Sequence, residues 1–242
     1  MPHRPRSERG VVALEPELYG RSHLGAPLEV FRPAGECRVL IFGGIHGDEP
    51  ESTATLSWAL RHLAAPPPHC AVVLAANPDG LLRGTRANAR GVDLNRNWPA
   101  QNWSAAPVRH RVFSEDPRDI ELSTGDAPGS EPETRALLAL IGELRPEIVV
   151  AVHAPLACVE DPAASALGRW LAERSELPLV DSVGYVTPGS FGSWAPEQGC
   201  RVITYELPVA ALEQQLRRFA PVFLELMLGS EAADAADRAP WS

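Results

Sequence analysis

The 242-residue chain has no apolar run near the ~18–20 residues that cross a bilayer. Basic residues are outnumbered, 22 Lys and Arg against 31 Asp and Glu, which gives a formal net charge of −9. That balance argues against a bulk electrostatic grip on nucleic acid or an anionic membrane surface. Cysteine is scarce: Cys37, Cys70, Cys158 and Cys200 are the only four, and none forms a CxxC pair. No GxSxG, GxGxxG or P-loop pattern appears, which removes the commonest signatures of serine hydrolases, dinucleotide binding and nucleotide hydrolysis. No internal repeat is visible. The basic start MPHRPRSERG runs into acids and a proline where a signal peptide needs an apolar core. The chain is therefore read as cytosolic, with its cysteines reduced. Cys37, Cys70 and Cys200 head apolar runs and read as small buried hydrophobes.

What is present is an alternation of short apolar runs with helical patterns. Strands are expected at Leu28–Phe31, Cys37–Phe42, Cys70–Ala75, Ile148–Val152, Leu179–Val183 and Arg201–Tyr205. Several are apolar throughout, as in strands covered on both faces. Helices are expected at Glu51–Ala64, Glu131–Leu144, Ala163–Ser175 and Ala210–Leu228. Ser130, Pro132 and Glu133 predict the start of the second, with Ser130 as N-cap. Pro221 predicts a kink or split in the fourth. Such alternation predicts an α/β sandwich with a mostly parallel or mixed sheet. Ala87–Gly129 reads as one long irregular segment, of the kind that is either functional or disordered. The Ala/Asp-rich tail over 229–242 reads as poorly ordered beyond a single domain over 1–228.

Chemistry concentrates at strand ends. In Gly43-Gly44-Ile45-His46-Gly47-Asp48-Glu49 an imidazole and a carboxylate stand three residues apart where a strand meets a helix. His153 closes the run Ile148–Val152, at the strand end where open α/β sheets place their sites. His46, Glu49 and His153 make a three-ligand set of the kind that holds a catalytic zinc and leaves a position for water. A cysteine ligand or nucleophile at Cys158 is the alternative. Glu206 closes the strand Arg201–Tyr205 and suits a general base. Between Arg83 and Pro99 lie four arginines among asparagines, suited to fork-like carboxylate binding and oxyanion stabilisation. His62, His69 and His110 read as surface residues, with His110 within reach of a substrate.

HGDE, Asn77-Pro78-Asp79-Gly80, RGTRAN, GVDLNRNWP, Ser130-Glu131-Pro132-Glu133-Thr134, His153 and Glu206 together resemble the zinc carboxypeptidase family, over about Val39 to Pro208. The resemblance implies an eight-stranded mixed sheet between helices and one Zn2+ per chain on His46, Glu49 and His153. It implies Glu206 as general base, Arg86 as the arginine that polarises the scissile carbonyl, and Asn95 and Arg96 as the grip on a substrate carboxylate. Tyr185 matches a mobile tyrosine that closes over the substrate. Gly192 falls where the base of the specificity pocket is shaped, and leaves room there. At position 154 the narrower resemblance favours an acid, and this chain has Ala154.

Two further segments, Pro155–Pro162 and Ser182–Trp194, resemble bacterial members of the family that cut the γ-D-glutamyl–meso-diaminopimelate bond of murein peptides in cell-wall recycling. The implied partner is thus a small murein peptide, with Glu160 or Asp161 as candidate partners for its distal ammonium. Two other readings stay open. Zinc deacylases of the succinylglutamate desuccinylase and aspartoacylase type share the HGxE and DLNR segments. A peptide-binding module on an inactive peptidase fold is the non-enzymatic alternative.

Overall fold

The computed structural model describes residues 3–112 and 117–229. Of the tail expected to be poorly ordered over 229–242, residues 230–242 lie outside the described residues. Ten strands and seven α-helices are present among them: β1 (Glu17–Arg21), β2 (Pro27–Val30), β3 (Val39–Phe42), α1 (Pro50–Arg61), β4 (Cys70–Val73), α2 (Pro78–Arg83), β5 (Val108–Val112), β6 (Arg118–Leu122), α3 (Pro132–Leu144), β7 (Ile148–His153), β8 (Leu156–Glu160), α4 (Ala166–Ser175), β9 (Leu179–Val180), α5 (Phe191–Glu197), β10 (Arg201–Pro208), α6 (Leu212–Arg218) and α7 (Ala220–Leu228).

The central sheet runs β4-β3-β7-β10-β8-β9 and has six strands. Only the β10–β8 pairing is antiparallel. This corrects the expected eight-stranded sheet. The other four strands form two hairpins, β1–β2 and β5–β6, and the first is bridged to the β4 edge at the isolated Phe31–Val72 pair. Pro33 lacks the N–H that would carry the ladder further.

Strand sequences dictate the two layers. Ile41, Val150 and Val152, Ile203 and Tyr205 pack on one face against Leu56 and Leu60 of α1, Leu171 of α4 and Phe223 of α7. Their alternates Leu40, Phe42, Val149 and Ala151 pack against Leu137 of α3 and against Phe191 and Trp194 of α5. Period-two alternation then carries His153, Thr204 and Glu206 toward the α5 side.

Four further expectations are corrected. Ser130 is not the N-cap of α3; Glu131 holds that position, and Pro132 supplies the preset φ of the first turn. The segment 87–129 is not irregular throughout, because it contains the β5–β6 hairpin. Its charges gather on one face, where Arg109 and Arg111 oppose Glu121 and Asp119, and the other face mixes Val108, Val112, Ile120 and Leu122 with His110 and Arg118, so no apolar run marked the strands. His62 is buried, with its ring centroid 3.7 Å from that of Trp58, rather than on the surface. Cys200 is half-buried, while Cys37 and Cys70 are buried as expected. The expected break near Pro221 is present: α6 ends at Arg218, and Pro221 sits in the first turn of α7.

Candidate active site

His46 lies four residues past the end of β3, on a loop braced by the Asn77-Pro78-Asp79-Gly80 turn. Asn77 caps α2 by accepting from Gly80 N at 2.9 Å, and its Nδ2 donates to Ile45 O at 3.2 Å. Gly47 passes so near this turn that a Cβ on it would lie 2.0 Å from the Gly80 carbonyl carbon. The loop then enters α1, with Glu49 as its N-cap residue.

His153 Nδ1 and His46 Nδ1 converge on one carboxylate. They lie 3.0 Å from Glu49 Oε2 and 2.7 Å from Glu49 Oε1, respectively. All three side chains are buried, and their candidate ligand atoms lie within 4.8 Å of one another. Among the described residues no other cluster of this kind exists. Two imidazole nitrogens and one carboxylate are the donor set of a catalytic zinc with an open position. Burial alone would raise the Glu49 pKa, but the two histidines hold it well below the usual carboxylate range.

Asp93 belongs to this cluster and was not singled out by the sequence. Its Oδ1 lies 3.3 Å from His46 Nε2, and its Oδ2 accepts from Arg86 Nε at 2.9 Å. A carboxylate on Nε2 fixes the proton there and leaves the Nδ1 lone pair for a metal. Burial works against the Asp93 charge, yet Arg86 and His46 hold its pKa far down. The signal was available only as the Asp two residues before Asn95 in GVDLNRNWP.

Arg86 also donates from Nη1 to Glu49 Oε1 at 3.1 Å, which ties the guanidinium to the edge of the ligand cluster. Asn95 Oδ1 accepts from Phe191 N at 2.9 Å, which leaves its Nδ2 donors for a ligand. Arg96 lines the same cleft and pairs with no carboxylate among the described residues. Burial lowers its pKa, Asp93 opposes, and nearby Arg86 lowers it further. An anion seated there relieves that cost. The other two arginines of the segment, Arg83 and Arg90, are exposed and do not line the cleft.

Glu206 stands beside His153 on the neighbouring strand and accepts from Leu156 N at 3.2 Å. Its pKa is raised, chiefly by burial; His153 opposes and Glu49 adds to the rise. Tyr185 lies exposed on the rim. Ala154 is buried and presents its backbone N–H to Glu49 Oε2 at 3.3 Å, so this position acts through its backbone. Cys158, the alternative ligand, is outside the metal cluster, and burial pushes its thiol up to about 11. His110 reaches the cleft wall and lies 3.0 Å from Asp48 Oδ2. Asp161 is occupied by the start of α4, accepting from Ala163 N, Ser165 N and Ser165 Oγ.

The cleft that joins these groups has a volume of about 320 Å³. Comparison with known proteins points the same way as the geometry. The zinc carboxypeptidase family profile matches residues 15–159. Murein peptide amidase A of Escherichia coli K12 is 52% identical over 219 residues, which cover 89% of this chain and 90% of that protein. Murein peptide amidase A of Vibrio campbellii is 46% identical over 226 residues, covering 92% and 91%. The crystal structure of murein-tripeptide amidase from Escherichia coli O157 superposes with a TM-score of 0.89 at 48% identity, covering 94% of this chain and 98% of that one.

Proposed function

The chain belongs to the zinc carboxypeptidase family, and from that premise we propose that it hydrolyses the γ-D-glutamyl–meso-diaminopimelate bond of murein peptides. It is a metal-dependent hydrolase. The observation that carries the reading is the meeting of His46, Glu49 and His153 with Glu206 in one cleft that also presents Arg96 without an acid partner. The identity to murein peptide amidases over most of both chains supports the substrate.

His46 Nδ1, Glu49 and His153 Nδ1 hold the zinc ion in this reading. When bound, the ion supplies a Lewis acid that makes water a competent nucleophile near neutral pH. Glu206 takes the proton of the attacking water and returns it to the leaving amine; its raised pKa makes it a stronger base than an ordinary carboxylate. The Arg86 guanidinium, held by Glu49 and Asp93, donates to the developing oxyanion. Asn95 Nδ2 and Arg96 grip the α-carboxylate that the diaminopimelate L-centre carries beside the scissile bond. Tyr185 closes over the bound peptide from the rim. Four free cysteines suit a reducing, cytoplasmic setting.

Purified zinc-loaded protein incubated with L-Ala-γ-D-Glu-meso-diaminopimelate is expected to release free diaminopimelate. Faster hydrolysis of Phe- or Leu-terminated peptides would make it a general carboxypeptidase. Activity only on N-acyl amino acids would make it a deacylase.

A further inference from the structure

Behind the catalytic cleft lies a second cavity of about 410 Å³. The two share Glu160, Thr187, Gly192 and Thr204 as common wall. Gly192 leaves room on that wall: a Cβ built on it would meet nothing nearer than Ser190 Oγ at 3.8 Å. A substrate side chain that lies along Gly192 therefore meets a wall that both spaces share.

Three charged residues line the second cavity: Glu160, Asp161 and Arg201. Both oxygens of Asp161 are taken by the start of α4. Arg201 lies 3.9 Å from Glu147. Glu160 differs from both. It ends β8 opposite Thr204 of β10, on the wall common to both spaces. Its Oε1 accepts from Val183 N at 3.0 Å, which fixes the carboxylate plane. Its Oε2 has no hydrogen-bond partner among the described residues. A carboxylate oriented by one oxygen and open at the other, on the wall of the substrate cleft, suits a cation.

We infer that Glu160 is a specificity-determining residue that pairs with an ammonium on the substrate side chain at the wall shared by the two cavities. The inference rests on the amidase reading above and deepens it, since diaminopimelate carries such an ammonium several bonds beyond the centre next to the scissile amide. Because the contact is remote from the reacting atoms, it selects among side chains without taking part in the chemistry. A purely structural Glu160, anchoring Val183 and nothing else, would affect all substrates alike.

The test compares kcat/KM for three L-Ala-γ-D-Glu-X peptides, with X as meso-diaminopimelate, L-lysine or L-2-aminopimelate. The last keeps the distal carboxylate and lacks the ammonium. For the wild type, the aminopimelate peptide is expected to be cut about ten- to a hundredfold less efficiently than the diaminopimelate peptide, the range for one charge-assisted hydrogen bond. In Glu160→Gln, which keeps an oxygen for Val183 N, the diaminopimelate and lysine peptides fall by a similar factor while the aminopimelate peptide changes little. Equal wild-type rates for the diaminopimelate and aminopimelate peptides overturn the inference, and this arm needs no variant to fold. A proportional loss on all three peptides in Glu160→Gln overturns it as well. Failure of the wild type to release diaminopimelate at all overturns the amidase reading and this inference together.

Discussion

Glu206 and His153 are register partners on adjacent parallel strands, so the proposed base and a proposed metal ligand stand side by side on the same face of the sheet. Strand spacing of ~4.8 Å sets their separation, and the ladder of β7 and β10 holds it. Neither side chain depends on a mobile loop for its position.

Glu206→Gln is accordingly expected to keep fold and metal content and to lose kcat by about 10²- to 10⁴-fold. An amide cannot accept the proton from water at neutral pH. Metal analysis of the purified variant beside steady-state kinetics checks both halves; near-normal kcat would assign the base to another group.

His153→Ala removes one of the three proposed ligands and is expected to lose zinc and turnover together. Elemental analysis after dialysis decides it. Full zinc occupancy in this variant would take His153 out of the ligand set.

Asp93→Asn keeps the size of the side chain but removes the charge beside His46 Nε2 and Arg86. Zinc affinity is expected to fall about 10- to 100-fold, the usual consequence of losing the carboxylate behind a ligating histidine. Competition with a chromogenic chelator measures it. An unchanged zinc affinity would show that Asp93 serves only to hold Arg86.

Two glycines make opposite stability predictions. Gly47→Ala drives a Cβ into the Gly80 backbone, which no flexible side chain relieves, so the loop must move and stability should drop by more than ~2 kcal/mol. Gly142→Ala places its Cβ in open space on the exposed face of α3 and should stabilise by roughly 0.5–1 kcal/mol. Calorimetric Tm values of both against the wild type check the pair, and zinc content in Gly47→Ala should fall with Tm.

The strands most plainly legible in the sequence are those with few polar residues, while β2 and β9, expected at Leu28–Phe31 and Leu179–Val183, are only half-covered. β3, β4, β7 and β10 read as strands because residues such as Val39–Phe42 and Ile148–Val152 have no polar alternate. β8 was missed because Leu156 is exposed and Glu160 faces a cavity, so no apolar run marks it. β1 carries a register shift between Leu18 and Gly20, which breaks its alternation. In the site, His46, Glu49, His153 and Glu206 could be found because each sits at the end of, or just past, a readable strand. Asp93 could not, because its role arises only when a loop 47 residues downstream folds against His46. The choice between Glu160 and Asp161 likewise needed the hydrogen bonds that occupy one and leave the other open.

The buried cluster of Glu49, Asp93 and Arg86 has a further consequence. With its histidines neutral it holds two negative charges and one positive, a surplus of one negative at the floor of the cleft. A divalent cation seated among the ligands inverts that surplus to one positive. A monovalent cation would bring it only to zero. The summed charge of these buried groups thus changes sign on loading, while Arg86 and Arg96 line the cleft in either state.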